Sequence, residues 1–260
     1  MNRDAENLIK QLATKAGMVT ARKFGKVGVK YTKANVADVV TEADLAANRV
    51  IIKGIRSMFP DHDIISEEVP SGERRSKYVW TIDPLDGTRN FVTKMPLFCT
   101  MIGFAKDDEM QLATIYDPIH KGLYFAKKGH GAFLNGKRIR CSDTKKWERS
   151  FGCGPSSWGK RAPKVLKHIA TAAEKEPIWL SMLGSAGIAM TSVASGKRDW
   201  AFSLGGGIWD YAPGFLILKE AGCTVTRLDG KDWKLGDVGM VFGNKYLQPK
   251  ILKLVKQALG

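Results

Sequence analysis

From residue 63 onward the chain presents strand-like runs in succession, at 63–66, 78–82, 98–105, 111–116 and 122–126. Asn135-Gly136 adds a strong hairpin turn. Helical patterns flank this block. Asp4 can cap a helix reaching about Phe24, with Leu8, Ile9, Leu12, Ala16 and Val19 at helical spacing. After a Gly-rich basic stretch at 25–33, Thr41-Glu42-Ala43-Asp44 reads as a capping box. It opens a helix with Leu45, Ile52, Ile55 and Phe59 on its apolar face and Pro60 just beyond. Past Ser142 the pattern changes to helices at 160–175 and 184–195 and strands at 178–181 and 198–204. Gly205, Gly206 and Gly207 then precede a helix at 209–221, with Pro213 placed in its first turn. Strands at 223–228 and 240–243 and a helix at 248–259 complete the chain. Helices and strands mix without strict alternation, which predicts an α+β layered sandwich and not a doubly wound sheet. No linker or repeat interrupts it. Two halves are expected to meet near residue 142: 1–142 holds most of the acidic candidates and 143–260 supplies Asp210, in one compact unit.

Composition narrows the function classes. Apolar residues make up 44% of the 260, enough to bury a sizeable core, and no apolar run approaches the ~20 residues that span a bilayer. The start is charged at once and lacks the apolar region of a secretory signal. Cys99, Cys141, Cys153 and Cys223 are far apart and form no C-x-x-C pair, so they read as reduced thiols of a cytoplasmic protein. The four histidines are equally scattered. The net charge of +15 favours anionic partners, but Lys and Arg are interleaved with apolar residues and no nucleic-acid-binding module accompanies them. A basic solvated surface is the expected reading, with nucleic acid kept as a lesser possibility and no membrane partner.

Against that basic background, clustered carboxylates at strand mouths need a reason. The run at 78–82 leads straight into Asp83-Pro84-Leu85-Asp86-Gly87-Thr88. Two carboxylates three residues apart, held by a Pro and a Gly, can face one point from a tight turn, and such oxygen-rich sites suit Mg²⁺ or Mn²⁺. Gly87 permits close backbone approach to a ligand, and a helix beginning after it would aim free N–H groups at an anion. Asp-Pro and Asp-Gly are also ordinary turn dipeptides. The motif has company, however: Glu67-Glu68 closes another strand, Trp209-Asp210 opens a helix behind the Gly-rich loop, and Asp38 and Asp44 flank a helix start.

The run from Ile82 to Phe91 resembles the D-P-[IL]-D-G-T-x-N-F signature of the inositol monophosphatase-like family. Trp209-Asp210-Tyr211-Ala212-Pro213-Gly214 resembles its W-D-x-A-x-G signature, Glu67-Glu68 its glutamate pair, and the segment from Asp38 to Asp44 its D-x-V-T-x-x-D element. The hairpin from Gly129 to Gly136 is similar to the family's G-x-G-A-F-x-N-G. These matches keep their order over most of the chain. The Gly131-to-Lys137 spacing superficially resembles a Walker A loop but lacks the following Ser or Thr.

The resemblance implies a layered αβαβα sandwich of the inositol monophosphatase/fructose-1,6-bisphosphatase type, assembled as a homodimer. It implies a phosphoric monoester hydrolase with two to three Mg²⁺ ions, acting on a small anionic phosphate ester through a metal-activated water. Glu67, Asp83 and the Leu85 carbonyl would hold one ion, and Asp83, Asp86 and Asp210 a second. A third would sit near Glu67. Thr88 and Asp44 would orient the attacking water, the amides of Gly87 and Thr88 would grip the phosphate, and Lys33 would approach the metals. Lithium and calcium inhibition are expected. Ser185 and Ala186 would line the substrate pocket. Ser203 stands where inositol phosphatases carry a glutamate for the sugar hydroxyls, Ser181 where they carry an arginine, and Arg89 at a position that is often Thr. Inositol 1-phosphate is the reference substrate that the resemblance implies, and these departures from its usual contacts leave room for other phosphate esters. Histidinol phosphate, fructose 1,6-bisphosphate and phosphoadenosine phosphate are alternatives. A basic nucleic-acid or protein-binding scaffold is the alternative of another class, and the filled set of carboxylates argues against it.

Overall fold

A computed structural model gives the fold and describes residues 2–32, 39–70, 72–156 and 159–260. The chain opens with helix α1 (Asn2–Lys23), a strand pair β1 (Val29–Thr32) and β2 (Val39–Thr41), and helix α2 (Glu42–Met58). The expected capping box starts α2: Thr41 Oγ1 accepts from the Ala43 N–H at 3.0 Å, and Asp44 Oδ2 accepts from the Thr41 N–H at 2.8 Å.

Seven strands follow in the order in which they lie side by side: β3 (Asp63–Ser66), β4 (Tyr78–Asp86), β5 (Cys99–Lys106), β6 (Glu109–Asp117), β7 (Gly122–Lys127), β8 (Gly131–Leu134) and β9 (Lys137–Ile139). All neighbours are antiparallel except β3 and β4. The Asn135-Gly136 turn joins β8 to β9, as its dipeptide predicts. Side chains alternate across this sheet, and both faces are buried. On β5, Met101 packs into one cluster while Ile102 and Phe104 pack into another.

The second sheet contains β10 (Phe151–Cys153), β11 (Trp179–Ser181), β12 (Trp200–Ser203), β13 (Thr224–Thr226) and β14 (Met240–Gly243), in the order β11-β10-β12-β14-β13. Helices α5 (Ala186–Ala194) and α6 (Ile208–Glu220) lie between the two sheets, with Met190, Tyr211 and Ile217 fully buried. Helices α1 and α2 cover the outer face of the first sheet, where Ile9, Ile51 and Ile55 meet Trp80 and Ile82. Helices α4 (Ala162–Lys175) and α7 (Gln248–Leu259) cover the outer face of the second, with Val165 and Ile251 against Trp200 and Phe202. The result is the expected five-layer αβαβα sandwich. None of the described helices is long and apolar enough to cross a membrane.

Two local expectations are corrected. The Asp83-Pro84-Leu85-Asp86 segment is a bulged continuation of β4 and not a tight turn. Pro84 has no N–H to give the ladder, and side chains take over: Asp83 Oδ1 accepts from the Leu85 N–H at 3.0 Å, and Thr100 Oγ1 donates to the Pro84 carbonyl at 2.9 Å. Pro213 lies inside α6, beyond its first turn. A proline there forgoes the bond to the carbonyl four residues earlier.

Candidate metal centre

The site forms where the bulged end of β4 meets the N-termini of α5 and α6. Asp83 and Asp86 leave β4 almost fully buried, and Asp210 arrives on the first turn of α6. One carboxylate oxygen from each of these three lies within 4.8 Å of the others. They floor a cavity of about 400 Å³, whose wall also includes Glu67, Leu85, Gly87, Thr88 and Arg89.

Each acidic group is aimed by its own neighbours. Asp86 accepts from the Ala186 N–H at 3.0 Å, from the Gly187 N–H at 2.8 Å, and from the Ser185 hydroxyl. The Cys99 thiol donates to it at 3.3 Å. Asp210 accepts from the Gly207 N–H at 2.6 Å. The glycine run that precedes it is sterically required at Gly206, which has φ +129° and where a Cβ would sit 2.4 Å from the Asp210 carboxylate. Gly87 turns the chain at φ +88°, and a Cβ there would meet the Leu97 carbonyl at 2.9 Å. Thr88 follows at the start of α3 (Thr88–Val92), its hydroxyl 3.1 Å from Asp44 Oδ1 and 2.9 Å from the Leu85 carbonyl.

Burial sets the electrostatics of the site. It pushes the Asp83 carboxyl well above the usual carboxylate range, and the charges of Glu67, Asp86 and Asp210 push the same way. Burial likewise raises Asp86, against the bonds from Ser185, Gly187 and Ala186. Asp44 is raised to about 6, chiefly by burial. Asp83 Oδ2 is buried with no hydrogen-bond partner among the described residues. A buried carboxylate oxygen without a donor, amid several like charges, is the environment that a hard divalent cation stabilises. The donor set fits Mg²⁺.

Sequence reasoning placed some residues differently. Ser185 and Ala186, expected against substrate, are buried and bond Asp86 instead. Their neighbour Gly184 reaches the cavity wall. Ser203 is 5% exposed, faces the Tyr211 hydroxyl at 3.3 Å and does not line the cavity. Gly205, Gly206 and Gly207 line it in its place. Lys33 and Asp38 lie outside the described residues. Val39, Ser156 and Trp209 line the cavity unforeseen as wall residues. Trp209 and Val39 had a signal, their places beside Asp210 and Asp38; Ser156 had none.

Known proteins resemble this chain in sequence and fold. The sequence profile of the inositol monophosphatase family matches residues 2–259. A fructose-1,6-bisphosphatase/inositol-1-monophosphatase of Thermotoga maritima is 32% identical over 251 residues, covering 96% of this chain and 94% of that protein. Nus factor SuhB of Escherichia coli K12 is 33% identical over 250 residues, covering 95% and 92%. The solved structure of an inositol monophosphatase (IMPase) from Thermotoga maritima covers 100% of this chain and 98% of its own, with TM-score 0.89 and 30% identity. With the profile spanning nearly every residue and the fold matching from end to end, the chain belongs to the inositol monophosphatase family and is a phosphoric monoester hydrolase.

Proposed function

We propose that this protein is a Mg²⁺-dependent phosphatase of inositol 1-phosphate or a sugar phosphate of similar size. The observation that carries the reading is the convergence of Asp83, Asp86 and Asp210 at the floor of one cavity whose wall includes Gly87 and Thr88. Glu67, Asp83 and the Leu85 carbonyl would hold one ion, and Asp83, Asp86 and Asp210 another, in a complement of two to three. When bound, Mg²⁺ supplies Lewis acidity that eases deprotonation of water and neutralises charge on the phosphoryl oxygens.

The chain's own residues divide the remaining work. The backbone N–H groups of Gly87 and Thr88 offer hydrogen bonds to the phosphate at the cavity wall. The Thr88 hydroxyl, set between Asp44 and the Leu85 carbonyl, orients the attacking water and passes a proton to Asp44. With its carboxyl held at about 6, Asp44 is matched to accept a proton near neutrality. Trp209 and the glycine loop, with Arg89, bound the space left for the alcohol portion of the substrate. Since Ser203 stays off the wall, the glycine loop and Arg89 are the candidate selectors among substrates. The Thermotoga maritima relative, named for two substrates, supports a site that tolerates more than one sugar phosphate.

The test is Mg²⁺-dependent phosphate release from inositol 1-phosphate, fructose 1,6-bisphosphate, histidinol phosphate and phosphoadenosine phosphate, with Asp86→Asn as control. The reading expects kcat/KM on inositol 1-phosphate or fructose 1,6-bisphosphate to lead the panel. It expects a fall of at least about 10²-fold in the variant, the scale of removing one electrostatic stabiliser. Normal turnover by Asp86→Asn would overturn the metal assignment, and a lead for phosphoadenosine phosphate would overturn the substrate class.

A further inference from the structure

Basic residues that are scattered along the sequence collect on one outer layer of the fold. Helices α4 and α7 pack side by side over the second sheet, and a groove of about 320 Å³ runs between them. Its lining includes Lys167, His168, Thr171 and Lys175 from α4 and Gln257 from α7, and holds no carboxylate. Helix α7 carries Lys250, Lys253 and Lys256 with no acidic residue, and Glu174 is the one acid on α4. Lys250 pairs with Glu176, just past the end of α4. Lys164, Lys167, Lys175, Lys253 and Lys256 make no ion pair among the described residues. The opposite outer layer is also rich in Lys and Arg, but there Glu6 pairs with Lys10 and Lys127, and Glu42 pairs with Lys30.

An exposed aromatic ring stands at one end of this basic strip. Tyr246 lies just ahead of α7 and is 41% exposed, with the Lys245 and Lys145 ammonium groups 5.0 and 5.5 Å from its ring centroid. Lys250, in the first turn of α7, lies 5.1 Å from the Trp147 ring centroid and continues the charge from Tyr246 toward the groove. From Tyr246 to Gln257 the strip runs about 16 Å at the rise of a helix. None of these residues lines the acidic cavity.

We propose that the α4–α7 face binds single-stranded nucleic acid, with phosphates along the groove and a base stacked on Tyr246. A strip of this length spans roughly four or five stacked nucleotides at about 3.4 Å each. Lysines from two helices neutralise successive phosphates, and release of the strand's counterions drives association. A tyrosine ring flanked by ammonium groups meets the base and the phosphates of one nucleotide together. Stacking needs an unpaired base, which favours a single strand over a duplex. Other anionic partners fit less well. Helices that lie in a membrane surface insert large apolar side chains, and neither α4 nor α7 exposes one. An acidic polypeptide would use the lysines but give Tyr246 no base to stack on.

The experiment titrates the full-length protein into a fluorescein-labelled single strand of about 20 nucleotides, as RNA and as DNA of the same sequence, and reads anisotropy in EDTA. Binding is expected to weaken on the order of 60-fold between about 50 and 200 mM KCl, the slope for about four neutralised phosphates. The double variant Lys167→Glu, Lys253→Glu should bind at least about tenfold more weakly. Tyr246→Ala should lose about fivefold or more, the scale of one stacked base, and Tyr246→Phe should stay near wild type. These variants should keep the wild-type Tm and Mg²⁺-dependent phosphate release, because the substituted side chains are exposed and outside the acidic cavity. Asp86→Asn should bind the strand at least as well as wild type, which separates this face from capture of a nucleotide at the acidic site. Binding of neither strand at about 50 mM KCl would overturn the proposal. So would affinity that the double lysine variant leaves unchanged. Phosphatidylserine vesicles or poly-glutamate that compete as well as the strand, with Tyr246→Ala neutral, would also overturn it and make the face a general acidic-surface binder.

Discussion

Asp86 takes its orientation from groups that lie about a hundred positions away in the chain: the Ser185 hydroxyl and the N–H groups of Ala186 and Gly187. Ser185 does two things at once, since its hydroxyl oxygen also accepts the Ile188 N–H at 3.2 Å and so caps α5. Ser185→Ala removes both roles. The lost cap costs about 0.5–2 kcal/mol, and the loosened carboxylate is expected to weaken Mg²⁺ binding by roughly 10–100-fold. The measurement is the Mg²⁺ concentration giving half-maximal phosphate release, read beside Tm. A lower Tm with unchanged Mg²⁺ dependence would show that the hydroxyl serves the helix alone. Such residues explain what the sequence could and could not display. Asp83, Asp86 and Asp210 were legible because their patterns occur together and in order along the chain, although each dipeptide alone is an ordinary turn or cap. Ser185 and Ala186 were legible as belonging to the site but not as partners of Asp86, because that pairing exists only after α5 docks against β4.

Elements were read best where apolar periodicity ran long. Helices α1, α2, α4 and α7 and strands β3 to β7 fall where the pattern predicts them, within a few residues. Strand β10 was missed for a physical reason. It is three residues long, and its central Gly152 has no side chain because the Trp200 ring covers it: a Cβ there would lie 2.2 Å from that ring. Strand β1 was missed because all four of its residues are exposed, so no alternation marks it. The junction of α2 with β3 and β4 shows a further cost hidden from sequence. His62 stacks on Phe59 and Tyr78, and its Nδ1 accepts the Trp80 indole N–H at 3.0 Å. That nitrogen must therefore be unprotonated, and burial holds the His62 pKa below its ordinary value. Between that folded value and about 6.5, the unfolded chain binds the proton more readily, so His62 withdraws stability as pH falls. His62→Gln, whose amide oxygen can still accept from Trp80, is expected to flatten the acid limb of a Tm-against-pH curve below pH 6.5. An acid limb of equal slope in the variant would remove His62 as its cause.

At the scale of the whole molecule, the sandwich solves a placement problem. Two sheets and the helices between them bring acidic groups from both halves of a strongly basic chain to one buried point, and the fold bears the resulting repulsion. The consequence is measurable. Asp83, Asp86 and Asp44 bind protons more tightly in the folded protein than in the unfolded chain, where aspartates titrate near 4. In EDTA their contribution to stability is fully present at low pH and is lost as pH rises through the elevated values. Bound at the proposed site, Mg²⁺ would require these carboxylates deprotonated, so it would compete with protons at low pH and replace them at high pH. The Tm gained on moving from EDTA to saturating Mg²⁺ is therefore expected to be small at pH 5 and large at pH 8. A hundredfold excess over Kd stabilises by about 2.7 kcal/mol, which for a chain of this size is a rise on the order of 5–10 °C. Taking the difference between the two conditions at each pH cancels the His62 effect, which both conditions share. Asp83→Asn, which removes the carboxyl whose Oδ2 is buried with no hydrogen-bond partner among the described residues, should lose most of the Mg²⁺-dependent gain at pH 8. It should also melt higher than wild type in EDTA at that pH, because one buried negative charge is gone. A Mg²⁺ effect independent of pH, or one that survives in Asp83→Asn, would mean that the ion stabilises the protein somewhere other than this acidic floor.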